Sequence, residues 1–274
     1  LSVDHVLVEG KLDKIILAAL LGGEPTVEPG GSKRSLRPQA ANLAKERHKR
    51  FGYIRDRDFD FDPAEDQTSP VSLQMGEGNV WGWHWCRHEI ENYLLEPQLV
   101  CEAVPAIHRD AYEQHLRDAA REIRFYEAAR WAIGIGRRSL PPNYELETRP
   151  SEIVKREMAL PEDYSFEASL DWAVTTSNTF LSKVSSALAE SSIQDNFQTH
   201  CDRFNDIFLD DVDLTLLWFS GKDLLAAMSP WLVGQGFPDP GVFRKELRQW
   251  CRHNGDRVLD VVPEWRALVS LLRD

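Results

Sequence analysis

The sequence predicts an α/β fold, a parallel sheet followed by a mainly α-helical half, and three observations predict it. Short apolar runs alternate with amphipathic helical patterns through about the first hundred residues, the order that builds βαβ units with right-handed crossovers. Two of those runs end on acids, in Val6-Leu-Val-Glu9-Gly10 and Tyr53-Ile-Arg-Asp56-Arg-Asp58, and parallel sheets bind ligands at the carboxyl ends of their strands. Beyond about Glu89 the apolar spacing is helical almost throughout.

Each element follows in order. His5 to Glu9 is a short apolar strand. Leu12, Ile15, Ile16, Ala19 and Leu20 repeat at the spacing of an amphipathic helix, which Gly22-Gly23 stops. Pro25 to Pro29 is a second strand, closed by Gly30-Gly31, and Arg37 to Arg50 a second helix. Gly52 to Asp56 is a third strand, and an acidic loop with Pro63 and Pro70 follows from Asp60 to Pro70. Val80 to Cys86 alternates tryptophans and makes a fourth strand. Helices are expected at Leu99–Ile133, Ser165–Leu188, Phe197–Leu209, Leu214–Leu232, Pro240–Arg252 and Pro263–Leu272. Gly134–Pro150 and Gly234–Gly241 read as loops. The expected division is residues 1–98, carrying the sheet, and residues 99–274, a helical domain for regulation, oligomerisation or docking. The apolar stretch Leu214–Leu232 is either a docking surface or plain core.

Composition narrows the function. The 274 residues are 42% hydrophobic and carry a formal charge of −12, which argues against a protein that coats nucleic acid non-specifically. No apolar run is long enough to span a bilayer, and no signal segment is expected in the opening residues, because Asp4 and Glu9 interrupt the only candidate. Cys86, Cys101, Cys201 and Cys251 lack zinc-ligand spacing and read as free thiols of a reducing cytoplasm. A cytoplasmic protein without membrane contact is the expectation. Between Lys33 and Arg57 nine Lys and Arg stand against two acids, so this basic island is either a solvated face or a phosphate-binding surface.

The acids carry the chemistry. Side by side in a parallel sheet, the two acidic strand ends gather Glu9, Asp56 and Asp58 at one rim. Such a cluster is stable only if protonated, hydrogen-bonded or holding a divalent metal. Asp56 and Asp58, two apart, would share one side of a strand at about 6.5–7 Å. An EF-hand is excluded, because position twelve of that loop is Gln67. Glu9 is a candidate general base or metal ligand, and Asp13, one turn on, either faces the same rim or complements the helix dipole. Lys33, after Gly30-Gly31-Ser32, is a candidate phosphate holder. Ser220-Gly-Lys222-Asp223 lacks the leading Gly and the Ser/Thr of a phosphate-binding loop, and Gly134-Ile-Gly136 lacks the third Gly of a dinucleotide site, so no ATP site is expected. Trp81, Trp83 and Trp85 are a packing face or a base-stacking one.

These residues resemble the TOPRIM domain of topoisomerases, primases and OLD-family nucleases, which carries a Glu after its first strand and Asp-x-Asp after its third. The block Trp85-Cys-Arg-His88-Glu89-Ile-Glu91-Asn92-Tyr93-Leu-Leu resembles the Ile-Glu-Asn-Tyr-Leu signature of a TOPRIM-like group that accompanies AAA or ABC-type ATPases in anti-phage defence, the nuclease subunits of PARIS systems among them. The resemblance covers residues 5–95 and implies a TOPRIM-like Rossmannoid sheet and an Mg2+-dependent (or Mn2+-dependent) nuclease cutting DNA or RNA. It implies that Glu9, Asp56 and Asp58 bind the metal, and it selects Glu91 over Glu89 as a fourth catalytic acid. In a helix those two cannot share a face, so Glu89 is expected to be an exposed acid. Asp13 completes the expected metal set. Lys33, Arg34, Arg55, Arg57 and His88 are the expected nucleic-acid contacts, His88 either shuttling a proton or else orienting a neighbour or capping the helix. The resemblance further implies a toxic effector restrained by a partner ATPase. The alternative is a catalytically silent module docking on a larger ATPase complex. A primase or topoisomerase part fits least, without a zinc ribbon or strand-passage Tyr motif. Helical C-terminal domains often dimerise, so a homodimer through that half is an expected form.

Overall fold

The computed structural model describes residues 2–140 and 165–273. Strands β1 (His5–Val8), β2 (Thr26–Pro29), β3 (Phe51–Arg55), β4 (Val71–Glu77) and β5 (Val80–His84) form one sheet in the order β2-β1-β3-β5-β4. All neighbours are parallel except β4, which pairs antiparallel with β5. The α/β class expected from the alternating pattern is therefore present. Helix α1 (Lys11–Leu20) crosses between the parallel neighbours β1 and β2, and α2 (Lys33–Arg47) crosses from β2 past β1 to β3.

Alternation along the strands sets the two faces of the sheet. Leu7, Phe51, Tyr53 and Val80 pack with Leu36, Ala40 and Ala44 of α2 on one side. Val6, Trp83 and Leu272 converge beside Gly52 on the other. Trp83 is thus a packing residue, and Trp85 is buried beside Tyr93 and Trp265, which settles those two in favour of packing over base stacking.

Three boundaries differ from expectation. Helix α2 begins at Lys33, four residues early, because Pro38 sits inside its second turn, where its missing N–H removes one backbone bond without ending the helix. It stops at His48, whose φ is +53°, short of Arg50. Strand β4 was unforeseen. It is joined to β5 by Gly78 and Asn79 at φ of +63° and +61°, the twist a two-residue hairpin needs.

After the sheet come α3 (Ile90–Leu94), α4 (Pro97–Ala103) and α5 (Arg109–Arg138). Then follow α6 (Phe166–Ala187), α7 (Glu190–Arg203), α8 (Asp206–Leu209), α9 (Val212–Trp218), α10 (Gly221–Ala227) and α11 (Ser229–Gly234). Last are α12 (Pro240–His253), α13 (Gly255–Val261) and α14 (Pro263–Arg273). The loop expected from Gly134 is helical as far as Arg138, and residues 141–150 of it lie outside the described residues. Gly136 stands inside that helix because a Cβ there would come within 2.9 Å of the Ala187 carbonyl oxygen. The stretch Leu214–Leu232 is core: Leu216, Leu217, Leu224, Leu225 and Leu232 are buried.

The chain divides into two compact units, Leu1–Glu127 with Phe204–Asp274, and Ala128–Arg203. The boundary expected between residues 98 and 99 falls inside the first unit. The reason is packing: α12 lies against α1, α3 and α4, and α10 against α3, so the late helices complete the sheet domain. In the second unit the ring of Trp131 stacks on His200 at 5.3 Å.

Candidate metal centre

Three strand ends build the centre. β1 and β3 are parallel neighbours, so Glu9 and Asp56, each the residue after its strand, meet at one rim. The Asp56 amide donates to Glu9 Oε1 at 2.9 Å. Asp58 lies past the strand in a turn, at φ +46°, a left-handed conformation that Asp tolerates better than most residues. Its amide donates to the His88 carbonyl at 2.9 Å, which ties it to the segment after β5. That segment delivers Glu89. One carboxylate oxygen from each of Asp56, Asp58 and Glu89 lies within 4.8 Å of the others, close enough to share a metal ion.

Glu89 was expected to be exposed and is buried. It is the N-cap of α3 in an extended conformation, φ −156°, so it precedes the helix and the rule that residues two apart diverge on a helix does not govern it. Glu91, in the first turn of α3, points into the same acidic region but is held by Arg244 Nη1 at 2.8 Å and lies 3.7 Å from Lys222 Nζ. Asp13 is also buried, its carboxylate accepting from the Gly10 amide at 3.2 Å.

Six carboxyl groups in one low-dielectric region cannot all ionise cheaply. Burial, chiefly, pushes Glu9 up to about 7, with Asp58 adding to the rise. Burial and then Glu91 push Asp13 up to about 6. Asp56 is raised well above the usual carboxylate range, by burial first and by Asp13, Glu9, Asp58 and Glu89 after it. Asp56 Oδ1 is buried without a hydrogen-bond partner. A buried carboxylate oxygen with no hydrogen-bond partner is a donor a hard divalent cation can take, and an all-oxygen set suits Mg2+ or Mn2+. The residues present therefore fit such an ion.

Sequence reasoning missed Lys222. Ser220 caps α10 by accepting from the Asp223 amide, and Gly221 lets that end approach α3, since a Cβ there would lie 2.7 Å from the Asn92 nitrogen. Glu89 Oε1 accepts from Ser220 Oγ at 3.0 Å and from the Lys222 amide at 2.9 Å, while Oε2 takes the Lys222 ammonium. Glu89 and Glu91 raise the Lys222 pKa despite its burial, which lowers it. The signal was present in the rejected Ser220-Gly-Lys222 run: it is a helix cap with a lysine in the first turn. Asn92 fixes the same turn, donating to the carbonyls of Leu216 and Phe219 at 2.9 and 2.8 Å.

The expected nucleic-acid contacts fare differently. Arg57 is fully buried, its guanidinium donating to the carbonyls of Cys86, Phe61 and Leu217, so it pins the loop and cannot reach a strand of nucleic acid. His88 is buried edge-on against Phe59 at 4.4 Å and is equally withdrawn. Arg55 pairs with Asp60, and Lys33 Nζ lies 2.5 Å from Asp58 and 2.7 Å from Asp60. Arg34 is exposed on α2. Two more members of the island, Arg47 and Arg50, pair with Glu28 and Asp4. Lys33, Arg47, Arg50 and Arg55 of the island are thus engaged in ion pairs.

Among the described residues no helix is long and apolar enough to cross a membrane. No protein-family model matches the chain, and no curated protein matches it at a significant level.

Proposed function

We propose that the chain is a Mg2+- or Mn2+-dependent nuclease of TOPRIM type that hydrolyses phosphodiester bonds. The single observation that carries the reading is the convergence of Asp56, Asp58 and Glu89 within 4.8 Å, beside Glu9, at the carboxyl ends of three parallel strands. The strand order and the places of Glu9, Asp56 and Asp58 support the resemblance drawn from the motifs. A divalent cation held by Asp56, Asp58 and Glu89 would polarise water and neutralise charge on the phosphate.

The protein groups divide the remaining work. Glu9, beside the centre at the end of β1, is the group placed to accept a proton from the attacking water. Its hydrogen bond from the Asp56 amide fixes one of its carboxylate oxygens. Lys33 holds Asp58, and Lys222 holds Glu89, so both carboxylates enter the reaction already oriented. Arg244 and Lys222 balance Glu91; its role is to fix these cations rather than to ligate. Through the same resemblance, the activity belongs to an anti-phage effector restrained by an AAA or ABC-type ATPase partner.

The test is incubation of the purified chain with labelled DNA and RNA pools in Mg2+, Mn2+ or EDTA, beside Glu9→Ala. Cutting that needs the metal and disappears in the variant is the expected result and reveals the substrate class. No cutting of any pool in either metal counts against a self-sufficient nuclease.

A further inference from the structure

The island's members nearest the centre are taken, Lys33 and Arg55 by ion pairs and Arg57 by carbonyls, and α12 supplies a second cationic surface beside it. Its sequence, Pro-Gly-Val-Phe-Arg-Lys-Glu-Leu-Arg-Gln-Trp-Cys-Arg-His, buries Phe243, Leu247 and Cys251 as one stripe. Arg244, Arg248 and Arg252 recur every four residues and flank that stripe, with Lys245 beside Arg252 on the helical projection. Glu246 is the helix's only acid, and at two residues from Arg248 it projects to the far side of the axis. Arg252 and Lys245 are exposed and Arg248 is half-buried. Among the described residues none of these three makes an ion pair or hydrogen bond, in contrast to Lys33, Arg47, Arg50 and Arg55.

The row begins at the acidic centre. Arg244 holds Glu91 at 2.8 Å, and Glu91 shares Lys222 with Glu89. From there the arginines climb α12 at about 6 Å per step, covering about 12 Å, which along one strand of a duplex axis is a run of three to four phosphates at about 3.4 Å each. A rigid helix with one planar guanidinium per turn matches a repeating phosphate backbone, and arginine binds phosphate bidentately. The chain's net charge of −12 repels a polyanion elsewhere, which makes a local unpaired row necessary for any approach.

We propose that the Arg244–Arg248–Arg252 flank of α12, with Lys245, is the track that seats the sugar-phosphate backbone leading into the acidic centre. This rests on the nuclease reading above for its direction, but binding can be measured without cleavage.

The experiment measures binding of fluorescent 20-nucleotide DNA and RNA, single-stranded and duplex, in EDTA across a salt series. Arg248→Glu/Arg252→Glu is compared with Lys45→Glu/Lys49→Glu, an equal charge change at exposed sites in the island. The α12 variant should bind at least about tenfold more weakly, with a flatter dependence on salt by roughly one unit per lost phosphate contact. Arg248→Lys/Arg252→Lys, which keeps the charge, should recover most of the binding and shows that the helix still folds. Equal losses in the two glutamate variants overturn the track. So does a wild-type chain that binds poly-glutamate but no nucleic acid, since the row would then serve an acidic protein. Binding through α12 without cutting in Mg2+ or Mn2+ keeps the track and defeats the nuclease. Cutting with unchanged binding in the α12 variant does the reverse.

Discussion

Asp56 is the residue at which stability and proposed function conflict. Its Oδ1 is buried without a hydrogen-bond partner and four other acids surround it. Without a cation this arrangement opposes folding, because a carboxyl group whose pKa is raised in the fold loses stability as pH climbs above its unfolded value. Asp56→Asn removes the ionisable group and keeps the shape. In EDTA at pH 8 the variant should be more stable than the wild type, seen as a higher melting temperature. Mn2+ should raise the melting temperature of the wild type and leave that of the variant nearly unchanged, as expected when only the folded wild type binds the ion. A variant that melts lower in EDTA, or responds equally to Mn2+, would show that Asp56 is not a strained ligand. Glu9 and Asp56 were legible in the sequence because each directly follows an apolar run that could only be a buried strand. Glu89 was not, because its place depends on α3 beginning one residue later, and Lys222 was not, because its partners lie more than 130 positions away.

At the scale of elements, one carboxylate ties α14 to the sheet. Glu264 is buried, and its Oε1 accepts from the Cys86 amide at 2.8 Å while its Oε2 accepts from the Tyr93 hydroxyl. Burial raises its pKa to about 7, against the lowering effect of those two hydrogen bonds. The protonated form is thus the one the fold prefers. Its stabilisation is complete below the unfolded value near 4.5 and is lost as pH rises to about 7, a change of about 3 kcal/mol. Glu264→Gln keeps the acceptor for Cys86 and cannot ionise. The difference in urea-unfolding free energy between wild type and variant should shift in the variant's favour by that amount between pH 4.5 and 7.5. Parallel curves would mean that Glu264 stays charged in the fold. Periodicity showed the four parallel strands and most helices, since each has a continuous apolar stripe. It missed β4, although Val71, Leu73 and Met75 alternate ahead of the Gly78-Asn79 turn, because the acidic loop before it hid the hairpin. It also merged α9, α10 and α11 into one helix, because the caps at Ser220 and Met228 interrupt an apolar pattern that otherwise continues.

At the scale of the molecule, the first unit is assembled from two stretches of chain, Leu1–Glu127 and Phe204–Asp274. Composition changes near residue 98 but contacts do not respect that change, because α12 packs on α1, α3 and α4. Residues 1–98 expressed alone lack the helices that cover α1 and α3, and should give no cooperative thermal transition. Residues 1–127 joined to 204–274 by a short Gly-Ser linker should give one, helped by the pairing of Arg121 with Asp210 and of Arg124 with Asp206. A cooperative melt from residues 1–98 would show that the sheet stands without the later helices. The same discontinuity has a consequence during synthesis. The ribosome releases Glu9, Asp56 and Glu89 long before Lys222 and Arg244. At about 5–20 residues per second, roughly seven to thirty seconds separate Glu89 from the Lys222 that orients it. A nascent or prematurely terminated polypeptide therefore carries the acids without a working arrangement of them, and a cell making this protein meets the assembled centre only when the later segment has been translated.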